Sequence, residues 1–146
     1  MNHRSRLEAA YRATTYRVRA PAGAIDVRIG ASAPALDALD ALLEAHGADT
    51  WIIITAANPA SECLPAATNA ARQAALQDEL LAAGYPILPS DAIADAGDWP
   101  VESGFLVIGL NAAGAEPIAR RWGQLAIVIG RRAEPASLHW ISIGPG

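Results

Sequence analysis

Seven residues of this chain have types and placement that could do chemistry: Asn58, Asn69, Arg72, Glu102, Ser103, Arg121 and Gln124. Arg72 and Arg121 carry planar guanidinium forks that match a carboxylate or a phosphate. Asn58, Asn69 and Gln124 offer amide donors and acceptors, and Glu102 and Ser103 add a charge and a hydroxyl. Together they could clamp a small anionic ligand: a nucleotide, a phosphate or a carboxylate metabolite. A second reading stays open. Arg72 could pair with Glu102 and tie a helix to a loop, Asn58 before Pro59 is a common turn device, and Gln124 could satisfy backbone at a strand start. The same residues would then be a structural network inside a protein-interaction or regulatory module.

Nucleophilic catalysis finds little support. Ser61, Thr55 and Ser103 lack a recognisable base unless Glu102 serves. Cys63 near a helix N-terminus could have a lowered pKa, but His3, His46 and His139 lie outside the motif stretches. No phosphate loop, dinucleotide fingerprint or His/Cys metal spacing is present, so no cofactor and no metal are expected. Whether the chain is an enzyme stays open. Trp99 reads as a stacking lid over a ring or as the anchor of a long loop. Asp37, Asp40 and Glu44 share one helix face, read as solvated.

The elements that must position these residues centre on Trp51 to Pro89. Trp51 to Ile54 is a short apolar run, as expected of a strand buried on both faces. Asn58-Pro59 ends it. A helix is expected from roughly Ala66 to Ala83, stopped by Gly84. On its wheel Asn69, Arg72, Leu76 and Leu80 share one stripe, so a core for the leucines carries Asn69 and Arg72 inward. An unpaired charge there would be costly, so Arg72 is expected to have an anionic partner, either Glu102 or a ligand.

Before this unit, the polar start could be helical to about Arg12. Thr15 to Arg19 and Ile25 to Ile29 alternate and read as a hairpin around Pro21 and Gly23. Ser32 and Pro34 open a helix with Leu36, Leu39, Leu42 and Leu43 inward, closed by Gly47. After it, Ser90 to Ser103 reads as a loop, Gly104 to Leu110 as a buried strand, and Ala112 to Trp122 as a helix. Pro117 fits only a first turn, so that helix is expected to start late. Leu125 to Ile129 and Leu138 to Ile143 read as paired strands.

The order from Trp51 is β-α-β-β-α-β. The expected fold is therefore α/β of the two-layer α+β kind: a mixed sheet with a ferredoxin-like core, an N-terminal hairpin and helix, and an extra C-terminal strand, all in a single domain, 1–146. In that arrangement the Trp51 strand runs antiparallel beside those starting near Gly104 and Leu125. Asn58, Asn69, Arg72, Glu102, Ser103, Arg121 and Gln124 would then converge on one rim of the sheet.

Composition bounds the partners. Residues 1–28 hold six Arg, residues 29–119 hold Arg72 against twelve acids, and residues 120–146 hold four Arg against Glu134. If the ends met they would form a basic patch on an acidic body, although solvated strand and turn positions explain the same charges. With a formal charge of −4, nucleic acid is not an expected partner. The single cysteine excludes an internal disulfide. No leader-like apolar segment and no run near the roughly 20 residues of a membrane helix is seen, so a soluble, cytoplasmic protein is expected, with no membrane contact.

Several spaced motifs also carry a family likeness. Ile54-Thr-Ala-Ala-Asn-Pro59, Asn69-Ala-Ala-Arg72, Gly84-Tyr85, Asp98-Trp-Pro-Val-Glu-Ser103, Phe105-Leu-Val107 and Arg121-Trp-Gly-Gln124 followed by Ala126, with the early Tyr11 and Tyr16, resemble the bacterial domain-of-unknown-function family 3293. The likeness departs at Leu125, where the family tends to have Asn, and at Gly104, which interrupts its Glu-Ser-Phe. The resemblance implies no activity.

Overall fold

The computed structural model describes residues 2–30, 34–97 and 99–142. Ser32, Asp98 and Ile143, which entered the expectations above, lie outside them.

The chain starts with helix α1 (His3–Arg12), which Asn2 caps by accepting the Ser5 N–H at 2.8 Å. Strands β1 (Thr14–Ala20) and β2 (Gly23–Val27) follow as the hairpin that their alternation predicts, with Tyr16, Val18, Ile25 and Val27 buried. Helix α2 (Ala35–Ala45) buries Leu39 and Leu43. Strand β3 (Thr50–Ile54) is buried from Trp51 onward because it is covered on both faces. Trp51 and Ile53 pack with α2, while Ile52 and Ile54 pack with Leu76 and Leu80 of helix α3 (Ala66–Ala82) and with helix α4 (Ala112–Arg121). Between β3 and α3 lies a short 3-10 turn at Pro59–Ser61.

The remaining strands are β4 (Ile87–Ala94), β5 (Glu102–Ile108), β6 (Ala126–Arg131) and β7 (Ser137–Trp140). β3 lies between β5 and β6 and runs antiparallel to both, as the order of elements predicts. Trp51 stands opposite Gly130, and a methyl group at 130 would overlap the indole. Only glycine lets this ring lie across β6.

The fold class itself is corrected. The sheet is not mixed, and it is not a ferredoxin-like four-stranded core with additions. All six strand pairings are antiparallel, and the described residues form one seven-stranded sheet in the order β2-β1-β4-β5-β3-β6-β7, curled into a half-barrel beside four α-helices. The reason lies in β4. Where a loop was expected from Ser90, the strand continues to Ala94, and this extension pairs with β1 on one side and β5 on the other. The N-terminal hairpin is thereby built into the sheet. Pro89 is tolerated because β1 pairing ends at Ser90, so no ladder bond is asked of it on that side. On the curled face the ends approach each other: Gly30 N–H donates to Ala136 O at 2.8 Å, and Tyr11 of α1 meets Trp140 of β7 edge to face at 6.2 Å.

α4 also departs from expectation. It starts at Ala112, not late, because Asn111 caps it by accepting the Gly114 N–H at 2.8 Å, and Pro117 sits inside the helix. The cap stabilises the first turn and outweighs the one intrahelical bond that Pro117 cannot donate.

Candidate functional site

The expected rim residues do not gather at one site. Asn58, Asn69, Arg72 and Gln124 form a closed lattice around the loop after β3. Asn69 Oδ1 accepts the Asn58 N–H at 3.0 Å, and its Nδ2 donates to Asn58 Oδ1 at 2.8 Å. Asn58 Oδ1 also accepts the Leu64 N–H at 2.9 Å. Gln124 Nε2 donates to Ala57 O at 3.1 Å and to Trp122 O at 3.3 Å. Arg72 donates from Nε to Ala56 O and from Nη2 to Trp122 O, both at 2.6 Å, with its guanidinium 5.3 Å from the Trp122 ring centroid. Gln73, which the sequence reading passed over, accepts the Ala56 N–H at 2.5 Å and donates to Ser103 O.

Arg72 does not pair with Glu102. Its face of α3 does turn inward, since Leu76 and Leu80 are fully buried, and its partners among the described residues are two carbonyls and an indole. The lattice has its own purpose. Asn58, Ala60 and Ser61 adopt positive φ of 48, 54 and 63°, a conformation that side chains other than glycine adopt at a cost. Such backbone persists only when its surroundings over-determine it, and here four side chains do so. Arg121 stands elsewhere: it bonds Glu79 of α3 through Nε at 3.0 Å and Nη2 at 2.9 Å, an exposed brace between helices. Ser103 is exposed and contributes its carbonyl, which accepts from Thr55 Oγ1 at 2.8 Å.

A cavity of about 550 Å³ opens in the mouth of the half-barrel, beneath α1. Asn58, Glu102 and Gln124 reach its wall, which is otherwise mostly apolar: Ile53, Ala92, Ala94, Ala126 and Val128 among others. These alternate positions on β3, β4 and β6 share one face by the two-residue period of strands. Tyr11, Tyr16, Ser61, Ser90 and Trp99 also line it. Asn69, Arg72, Ser103 and Arg121 do not.

Electrostatics distinguish the polar wall groups. Burial pushes the Tyr11 phenol up to about 12, with the Glu102 charge adding to the rise and the Ser61 hydroxyl offsetting part of it. Tyr16 is raised further by burial, then by Tyr11 and Glu102. Both phenols therefore stay protonated at neutral pH and can donate. Asp95 is held by Arg28, which donates to its two oxygens at 2.7 Å each and keeps its carboxyl below the usual range. Glu102 differs. Oε2 accepts the Trp99 indole N–H at 3.0 Å, and no cation pairs with it among the described residues. Trp99 is thus both rim and anchor.

The pairings offset much of the expected basic patch. The N- and C-terminal elements do meet, with Arg4 over the Trp140 ring, but Arg17, Arg19, Arg28, Arg120, Arg121 and Arg132 each hold a carboxylate. Among the described residues no group of three or more His, Cys, Asp or Glu gathers that could hold a metal ion. No described helix is long and apolar enough to cross a membrane.

Tyr11, Tyr16 and Ser90 were missed because each reads as ordinary structure: a polar helix, a hairpin core position, a loop. Their one signal was that both tyrosines fell among the family-like positions. The model of a family described as a protein of unknown function, DUF3293, matches residues 54–127. No curated protein and no solved structure matches the chain.

Proposed function

We infer that this chain, which belongs to the DUF3293 family of proteins of unknown function, is a small-molecule-binding domain whose site is the cavity under α1. One observation carries the reading: a mostly apolar space of about 550 Å³ into which a few polar groups converge, with Glu102 held by the Trp99 indole and by no cation among the described residues. Its size and character are those of ligand sites, where apolar walls supply burial and isolated polar groups fix orientation. Binding at an anion clamp is not carried forward, since Arg72 and Arg121 are engaged elsewhere. No reaction is assigned. A cytoplasmic location fits a chain with one cysteine, exposed Cys63, and no disulfide.

The test is a thermal-shift screen of a broad metabolite set on the wild type and on Ala126→Trp, which fills the space. A ligand that raises the melting temperature of the wild type by mass action and leaves the variant unmoved supports the reading. Hits that stabilise both proteins equally, or no hit at all, refute it.

A second reading has its own support. The lattice of Asn58, Asn69, Arg72 and Gln124 is mutually satisfied, as an interaction module requires of its scaffold, and Trp99 and Val101, two positions apart in the sequence, are large apolar residues that stand 47% and 57% exposed. In that case Val101→Ser, outside the cavity lining, would abolish a protein contact while leaving cavity ligands untouched.

A further inference from the structure

We propose that the group recognised in this cavity is a cation: a small organic ammonium ion, with its charge seated at Glu102 and its apolar body along the wall. The proposal rests on the small-molecule reading above and adds the ligand's chemical class.

Three observations converge. The first is the isolation of Glu102. It is half-buried, one oxygen accepts the Trp99 indole N–H, and among the described residues no side chain supplies a countercharge. The other carboxylate on the wall, Asp95, is neutralised by Arg28. A half-buried carboxylate at the wall of an apolar cavity offers an ammonium ion entering that cavity a charge partner with a free oxygen.

The second observation is aromatic. Tyr11, Tyr16 and Trp99 line the same space as Glu102. The electron-rich faces of such rings attract cations, and ammonium-binding pockets commonly combine rings with one acid. Because both phenols hold their protons, they do not crowd the site with further negative charge.

The third is the balance of charge. An anionic ligand would meet the charge of Glu102, and among the described residues no arginine lines the wall to offset it. A neutral ligand would leave Glu102 unpaired. A cation leaves neither problem.

The experiment uses the full chain and three probes of one shape: phenethylamine, phenethyl alcohol and phenylacetate, titrated calorimetrically into the wild type, Glu102→Gln and Ala126→Trp. Glu102→Gln keeps an oxygen for the Trp99 indole, so the fold is expected to survive, with circular dichroism as the check. The amine is expected to bind the wild type at least about tenfold more tightly than the alcohol or the acid, the scale of a charge-assisted hydrogen bond. Glu102→Gln is expected to bring the amine down to the alcohol's affinity. If the alcohol or phenylacetate binds the wild type as tightly as the amine, or if Glu102→Gln keeps the preference, the cation assignment is overturned. Alcohol binding that Ala126→Trp abolishes, with no preference for the amine, overturns that assignment while the cavity reading stands. Failure of all three probes to bind the wild type sinks both.

Discussion

Asn58 and Asn69 hold each other reciprocally: Asn69 takes the backbone N–H of Asn58 through Oδ1 and gives its own Nδ2 hydrogen to Asn58 Oδ1. The pair fixes a loop whose backbone would not choose its conformation unaided. Asn69→Ala removes both bonds and leaves the buried Asn58 N–H unpartnered. It is expected to cost about 1–3 kcal/mol in urea unfolding, and hydrogen exchange should show the loss concentrated at residues 58–64. A variant as stable as the wild type would mean that the loop holds itself.

Arg72 makes a complementary case. Its two acceptors are carbonyls, so Arg72→Met should destabilise by roughly 1–3 kcal/mol. Glu102→Gln should not reproduce that loss, and the double mutant should be additive within about 0.5 kcal/mol. Coupling well beyond that would restore the ion pair that the sequence suggested.

Gly130 tests the packing of the central strand. Gly130→Ala puts a methyl group into the Trp51 ring, so strand or ring must move. A loss of about 1–3 kcal/mol is expected, with a shift in tryptophan fluorescence. Trp51→Leu in the same chain should recover part of the Gly130→Ala loss, although alone it costs stability. No change in either readout would show that β6 yields freely.

The tyrosines make stability sensitive to alkali. A phenol whose folded pKa is raised contributes stability that is fully present below its ordinary value of 10 and is lost as the pH rises through the folded value, about 12 for Tyr11. Melting temperature should therefore fall steadily from pH 10 upward. Tyr11→Phe should flatten that fall, and Tyr16→Phe should do so as well. A decline of unchanged slope in both variants would place the phenols in solvent.

The sequence made the scaffold more readable than the site. Continuous apolar runs announced β3, β5 and β6, and the spacing of Leu76 and Leu80 gave the buried face of α3 correctly. What misled was polarity. Ser90 and Asp91 look like loop, yet Ser90 faces the cavity and Asp91 pairs with Arg19 across the strands. Hydrophobic periodicity signals burial against a packed partner, and a wall that borders open space gives no such signal. For the same reason, the inward stripe of α3 located Arg72 but could not say whether its partner would be a charge or a carbonyl. The distinction depended on the loop after β3 and on Trp122, fifty positions along the chain.

The extended β4 bears on how the chain assembles. β1 and β2 can zip together locally as soon as they exist, but the hairpin joins the sheet along β4, and Arg28 meets Asp95, 67 positions further along the chain. Closing so long a span delays docking, since the entropy of bringing distant segments together must be met before the contacts repay it. Until then the Ser90–Ala94 margin of β4 lies open, with unsatisfied amides and carbonyls that any other strand can capture. The first thirty residues therefore act as an intramolecular guard: a chain lacking them would present a raw sheet edge, and its characteristic failure would be self-association.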